Sequence, residues 1–182
     1  MASKKRAARR SGLNDNPGLS SPERKRVVGL NDKHHMILMT RTFRALTSPP
    51  AVLVLLALII VFNFLGISLR WYLIPYYDKV HHFAGGVWVA ILFFYLFDRK
   101  PFGSALRQSP LASFVGALAL TALAGVAWEL FEASMGIIFP GRGFFLWTGY
   151  GLLDTMGDLA TDLAGAALAA FLLVPGFCKK PH

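Results

Sequence analysis

The chain has 182 residues, room for one domain and a tail. Hydrophobic residues make up 54% of it and mean hydropathy is +0.48, which excludes an ordinary soluble domain of this size. The net charge of +9 is concentrated at the N-terminus, and the single cysteine, Cys178, rules out an intrachain disulfide and a cysteine-based zinc motif.

Residues 1–47 hold eleven of the nineteen Lys and Arg, against the acids Asp15, Glu23 and Asp32. Ser, Pro, Gly and charge in this proportion predict a disordered, solvated arm. It is joined to apolar segments, so its Lys4-Lys5-Arg6 and Arg9-Arg10 runs suit a topogenic signal or anionic lipid headgroups better than a specific nucleic acid. No apolar segment of a cleavable signal peptide falls in the first 30 residues. From His34 to Thr47, Met36, Met39, Phe43 and Leu46 recur at helical spacing among Lys33, Arg41 and Arg44. This pattern fits either a helix lying in the membrane interface or a plain basic flank. Pro49-Pro50 breaks the chain there.

Four apolar stretches follow, each near the roughly 20 residues that a membrane-spanning helix needs. They run from about Pro50 to Leu69, Val80 to Phe97, Pro110 to Glu132 and Leu152 to Val174. The expectation is an all-α membrane protein: a basic tail over 1–47 and a bundle of about four transmembrane helices over 48–178. Four spans return the chain to its starting side. With the tail cytoplasmic, sixteen basic residues lie inside and three (Arg70, Lys79, Arg142) outside. By the positive-inside rule both termini are expected to be cytoplasmic, in the cell (inner) membrane. The loop from Gly136 to Gly151 carries Phe139, Phe144, Phe145, Trp147 and Tyr150 around Pro140-Gly141-Arg142-Gly143, and is expected along the outer surface as a lid or re-entrant turn.

Three of the spans carry ladders of residues four apart: Asp78-His82-Gly86-Ala90, Ala117-Thr121-Gly125-Glu129 and Asp154-Asp158-Asp162-Ala166-Ala170. Such positions share one face of a helix. The polar end comes first in the first and third ladders and last in the second. Consecutive antiparallel spans therefore bring all three polar ends to one side, with small residues below that allow close helix packing. Ionisable groups within lipid-embedded helices are costly and are usually functional.

The candidate pocket comprises Asp78, His82, Glu129, Glu132, Asp154, Asp158, Asp162 and Arg142. Its six carboxylates exceed the cations at hand, so some must be protonated, paired with Lys or Arg, or bound to a metal. His82, Glu129 and Asp158 form the candidate metal set, with Asp78 one turn before His82 and able to orient its ring. Oxygen-rich ligands suit Mg²⁺, Mn²⁺ or Ca²⁺, and histidine admits Zn²⁺. His81 is offset from this face and reads as interfacial. Glu132 and Asp154 fit solvated caps as well as ligands, and Arg142 fits either a lid charge or a phosphate contact.

Tyr77-Asp78-Lys79-Val80-His81-His82-Phe83, Trp128-Glu129-Leu130-Phe131-Glu132 and Asp154-Thr155-Met156-Gly157-Asp158-Leu159 resemble signatures of the YjdF-like family of small bacterial inner-membrane proteins. Pro140-Gly141-Arg142, followed by Asp158-Leu159 and Gly165, also resembles the VanZ-like family, which is associated with glycopeptide-antibiotic resistance. The resemblance covers roughly residues 70–175 and implies a helical membrane protein with Asp78, His82, Glu129, Glu132, Asp154 and Asp158 at signature positions. It does not imply an activity. This chain departs from the pattern at Asp162, where Asn or an apolar residue is expected, and in having fewer spans than longer members.

Three functions follow from these readings. The first is proton-coupled transport or export of a small or lipid-linked molecule. The second is a metal-dependent enzyme acting on a lipid-linked or cell-envelope substrate. The third is an assembly protein whose polar cluster locks its helices together.

Overall fold

The structure, a computed structural model, describes residues 35–99, 103–139 and 151–178. The basic tail through residue 34, Lys179-Lys180, Arg142 and most of the aromatic loop lie outside the described residues. By internal contacts the chain divides into residues 1–37 and 38–182.

The described chain is helical. Helix α1 covers residues 35–46, and α2 (Pro49–Ser68), α3 (Tyr77–Asp98), α4 (Gly103–Arg107), α5 (Pro110–Ile138) and α6 (Leu152–Cys178) follow. Helices α2, α3, α5 and α6 are long and apolar enough to cross a membrane, as their composition predicts. Two of them begin on a serine cap followed by proline, whose missing N–H is no loss in a first turn. Ser48 Oγ accepts from Ala51 N at 3.4 Å, and Ser109 Oγ from Ala112 N at 3.2 Å. Helix α5 runs to Ile138 and α6 to Cys178, beyond the apolar stretches, because hydropathy sees the lipid-facing part of a helix and not the turns that extend past it.

Helices α3, α5 and α6 pack on one another, while α2 lies on α3. The small rungs of the ladders form the contact faces: Gly86, Ala90, Ala117, Thr121, Gly125, Ala166 and Ala170 are all buried. A Cβ on Gly86 would stand 1.9 Å from the Asp162 carbonyl oxygen, and one on Gly165 would stand 2.1 Å from that of Phe83. Both neighbours are backbone, so α3 and α6 can cross this closely only with glycine at both positions. At the end away from the acids, Phe43 of α1 is buried against Phe94 and Phe177, with ring centroids 6.3 and 5.8 Å away. Helix α1 is thereby anchored through Phe43, while Leu38, Met39 and Leu46 stay exposed.

The link from α2 to α3 is tight. Arg70 and Tyr76 adopt left-handed backbone angles, with φ of 59° and 67°, on either side of a single 3-10 turn, Trp71–Leu73. Tyr77 then donates to the Phe62 carbonyl at 2.7 Å, and Trp88 donates to that of Val52 at 3.0 Å. These two bonds, at different heights, fix α2 along α3.

Candidate functional site

The polar ends of the three ladders converge. Asp78, Lys79 and His82 lie in the first two turns of α3, Glu129 and Glu132 toward the end of α5, and Asp154, Asp158 and Asp162 in the first half of α6. Helices α3 and α6 start at this end of the bundle and α5 arrives at it, which is the antiparallel order the ladders require.

His82 is at the centre and buried. Its Nδ1 faces Asp162 Oδ2 at 3.4 Å. Its Nε2 looks toward three carboxylates from three helices: Asp158 Oδ1 at 3.6 Å, Glu129 Oε1 at 3.8 Å and Asp78 Oδ1 at 4.0 Å. Those distances exceed a hydrogen bond. They are close to the separations of about 3–4 Å expected between ligands that share an ion bound at roughly 2.0–2.6 Å. Glu129 Oε2 accepts from Thr155 Oγ1 at 2.9 Å, whereas Glu129 Oε1 is buried without a hydrogen-bond donor among the described residues. A buried carboxylate oxygen with no donor is costly and implies a proton, a water or a cation at that point.

Two sets of donor atoms lie close enough to hold one ion: Asp78, His82 and Asp158, and His82, Glu129 and Glu132. Both contain His82. The residues fit a divalent cation in another respect: Asp162 on Nδ1 orients the ring so that Nε2 is presented, the usual support of a metal-bound histidine.

Lys79 acts where the sequence showed only an outer-surface cation. Its Nζ donates to Asp154 Oδ1 at 2.5 Å and Asp158 Oδ1 at 2.7 Å, and lies 3.8 Å from Asp78 Oδ2. The signal was present, since Lys79 follows Asp78 directly. Its direction was not, because residues i and i+1 diverge by about 100° on a helix. The Lys79 side chain passes around the helix to reach α6, a use of its long stem that spacing alone does not reveal. One lysine against six carboxylates still leaves the cluster strongly acidic.

The middle rungs are the most deeply placed: Asp158 and Asp162 are buried, as is His82, while Asp78, Glu129 and Asp154 are partly exposed. Gly125 makes room for Asp162, whose Oδ2 would stand 2.6 Å from a Cβ there. His81, off the ladder face, turns to α2: its Nε2 is 3.2 Å from the Ile59 carbonyl, and its ring lies against Tyr72 and Tyr77. Arg142 is outside the described residues.

Beside the cluster is a cavity of about 510 Å³. Leu56, Ile59, Ile60 and Phe64 of α2, Val89 of α3 and Ala124 of α5 form apolar walls. Asp78, His82, Glu132 and Asp162 line it on the cluster side, with Tyr72 and Trp128 alongside. Burial, with the nearby Asp78 charge second, pushes the Tyr72 phenol well above its ordinary pKa, so the ring enters the cavity as a neutral group. Helix α2 packs on α3 and has no comparable packing with α5, so the cavity opens on the flank of the bundle between α2 and α5.

No curated protein and no solved structure matches the chain. A family model described as "Predicted membrane protein (DUF2238)" matches residues 34–176, a span that takes in α2, α3 and α5, all but the last two residues of α6, and every acid and histidine of the cluster. The chain belongs to this family of predicted membrane proteins.

Proposed function

We propose that this protein is a membrane enzyme that binds a divalent metal ion on His82, Asp78 and Asp158, with Glu129 facing the same His82 nitrogen, and acts on a lipid-linked or cell-envelope substrate. The observation that carries the reading is the buried Glu129 Oε1, which lacks a hydrogen-bond donor among the described residues and faces His82 Nε2 at 3.8 Å. An ion at this point would act as a Lewis acid toward a substrate oxygen. Asp162 holds the His82 ring, Thr155 holds Glu129, and Lys79 pairs with Asp154 and Asp158. Kinship with the YjdF-like and VanZ-like families belongs to the same proposal. So does an inner-membrane orientation with both termini cytoplasmic, supported by the sixteen to three division of basic residues.

Proton-coupled transport is the second reading. It is favoured by the cavity, whose ionisable lining consists of carboxylates and histidines that could exchange protons for a bound molecule. Metal analysis of protein purified in detergent separates the two. The enzyme reading expects about one divalent ion per chain, lost in His82→Ala with helix content retained. Wild-type protein that contains no metal, and whose melting temperature does not respond to Zn²⁺, Mn²⁺ or Mg²⁺, would reject the metal centre and leave transport ahead.

A further inference from the structure

The flank cavity has a chemistry of its own. Its far walls are aliphatic and aromatic except for Asn63 of α2, and at about 510 Å³ it lies within the range of roughly 300–1,000 Å³ typical of pockets for small ligands. Between α2 and α5 its lining includes apolar side chains that are exposed, Ile60 and Phe64 on α2 and Trp128 on α5. In a membrane that side meets hydrocarbon, so the pocket is entered from lipid and its body suits a hydrocarbon chain.

The polar end of the cavity is selective by charge. Asp78, Glu132 and Asp162 line it with His81 and His82, and among the described residues no Lys or Arg does. Lys79, the nearest cation, is directed to Asp154 and Asp158 on α6. His81 is turned to the Ile59 carbonyl and His82 to Asp162. Glu132 has no Lys or Arg partner in this lining; Trp128, one turn before it on α5, hydrogen-bonds its carboxylate, and Tyr72 is on the neighbouring wall. A carboxylate beside aromatic faces recognises an ammonium group, through charge and through attraction of the cation to the ring. An anionic head would face the carboxylates of Asp78, Glu132 and Asp162 with no Lys or Arg in the described lining to offset them.

We propose that this cavity binds an amphiphile with one hydrocarbon chain and an ammonium-bearing head, the chain between α2 and α5 and the ammonium against Glu132, Trp128 and Tyr72. The proposal names the substrate class of the enzyme reading and rests on it only in placing substrate and metal at adjoining positions. Head selection by Glu132 does not require the metal.

The test uses spin-labelled sixteen-carbon chains bearing a trimethylammonium, a hydroxyl or a sulfate head, added at equal mole fraction to full-length protein in dodecyl maltoside. Quenching of tryptophan fluorescence reports binding, because Trp88 and Trp128 both line the cavity. The expected result is saturable quenching, with the ammonium probe at least tenfold tighter than the hydroxyl probe and the sulfate probe weakest. Glu132→Gln should remove the tenfold preference while leaving the hydroxyl probe's affinity unchanged. Ala124→Phe, which fills the cavity from α5, should abolish saturable quenching for all three. Equal affinity for the three heads, a preference for sulfate, or a Glu132→Gln variant that keeps the preference would overturn the proposal. Metal analysis of the same protein as purified separates the two readings: head selection in protein that contains no metal retains this inference and rejects the metal centre, and a metal-loaded protein without head selection does the reverse.

Discussion

Asp158→Asn tests whether the acidic cluster is a site or a lock. Asp158 is buried and its Oδ1 accepts from Lys79 at 2.7 Å. Breaking a fully buried ion pair by removing one partner costs about 3–5 kcal/mol, chiefly because the other charge is left uncompensated. Lys79 escapes that outcome. It keeps Asp154 at 2.5 Å and is a quarter exposed, and the Asn oxygen can still accept its hydrogen bond. Removing a carboxylate that shares its surroundings with Asp78, Glu129 and Asp162 also relieves like-charge repulsion and desolvation. The net change in stability should therefore stay within about 1–2 kcal/mol, well under the cost of breaking an isolated pair. Thermal melting in detergent measures it, and a double-mutant cycle with Lys79→Met isolates the pair. A site predicts near-wild-type melting together with loss of bound metal. A loss of more than about 3 kcal/mol that Lys79→Met largely restores would mean that Lys79 and Asp158 serve to hold α3 on α6. The assembly reading would then displace both chemical ones.

Two other perturbations follow from the geometry. Gly86→Ala places a Cβ 1.9 Å from the Asp162 carbonyl oxygen, so α3 and α6 must separate; overpacking of this kind costs about 1–3 kcal/mol, and bound metal should fall with it because His82 and Asp162 sit on the two parted helices. Unchanged melting and metal content in this variant would show that the helices do not cross as described. Orientation is read by introducing cysteine at Leu146 in a Cys178→Ser background: labelling of intact cells by an impermeant maleimide is expected, and labelling only after permeabilisation would reverse the topology.

Much of the architecture was legible in the residues. Length of apolar run follows from bilayer thickness, and a carboxylate or histidine every fourth residue can occupy only one helix face. The ladders therefore anticipated that His82 would lie near Glu129 and near Asp158 and that Gly86, Gly125, Ala166 and Ala170 would be buried beneath them. Asp162 stood out as an acid deep in an apolar span, and it is the residue that orients His82.

What the pattern could not supply depends on directions and distances set only when helices cross. Lys79 lies off the Asp78-His82 face and reaches α6 through its side chain, a matter of rotamer and crossing angle rather than spacing. His81 is one residue from the central histidine, yet it serves α2 because that helix happens to lie on its side of α3. The flank cavity has no sequence signature at all: it exists because α2 packs along α3 and leaves α5 uncovered there. Periodicity determines which face of a helix is polar; only the packing of helices determines which neighbour that face meets, and where two helices fail to meet a cavity remains.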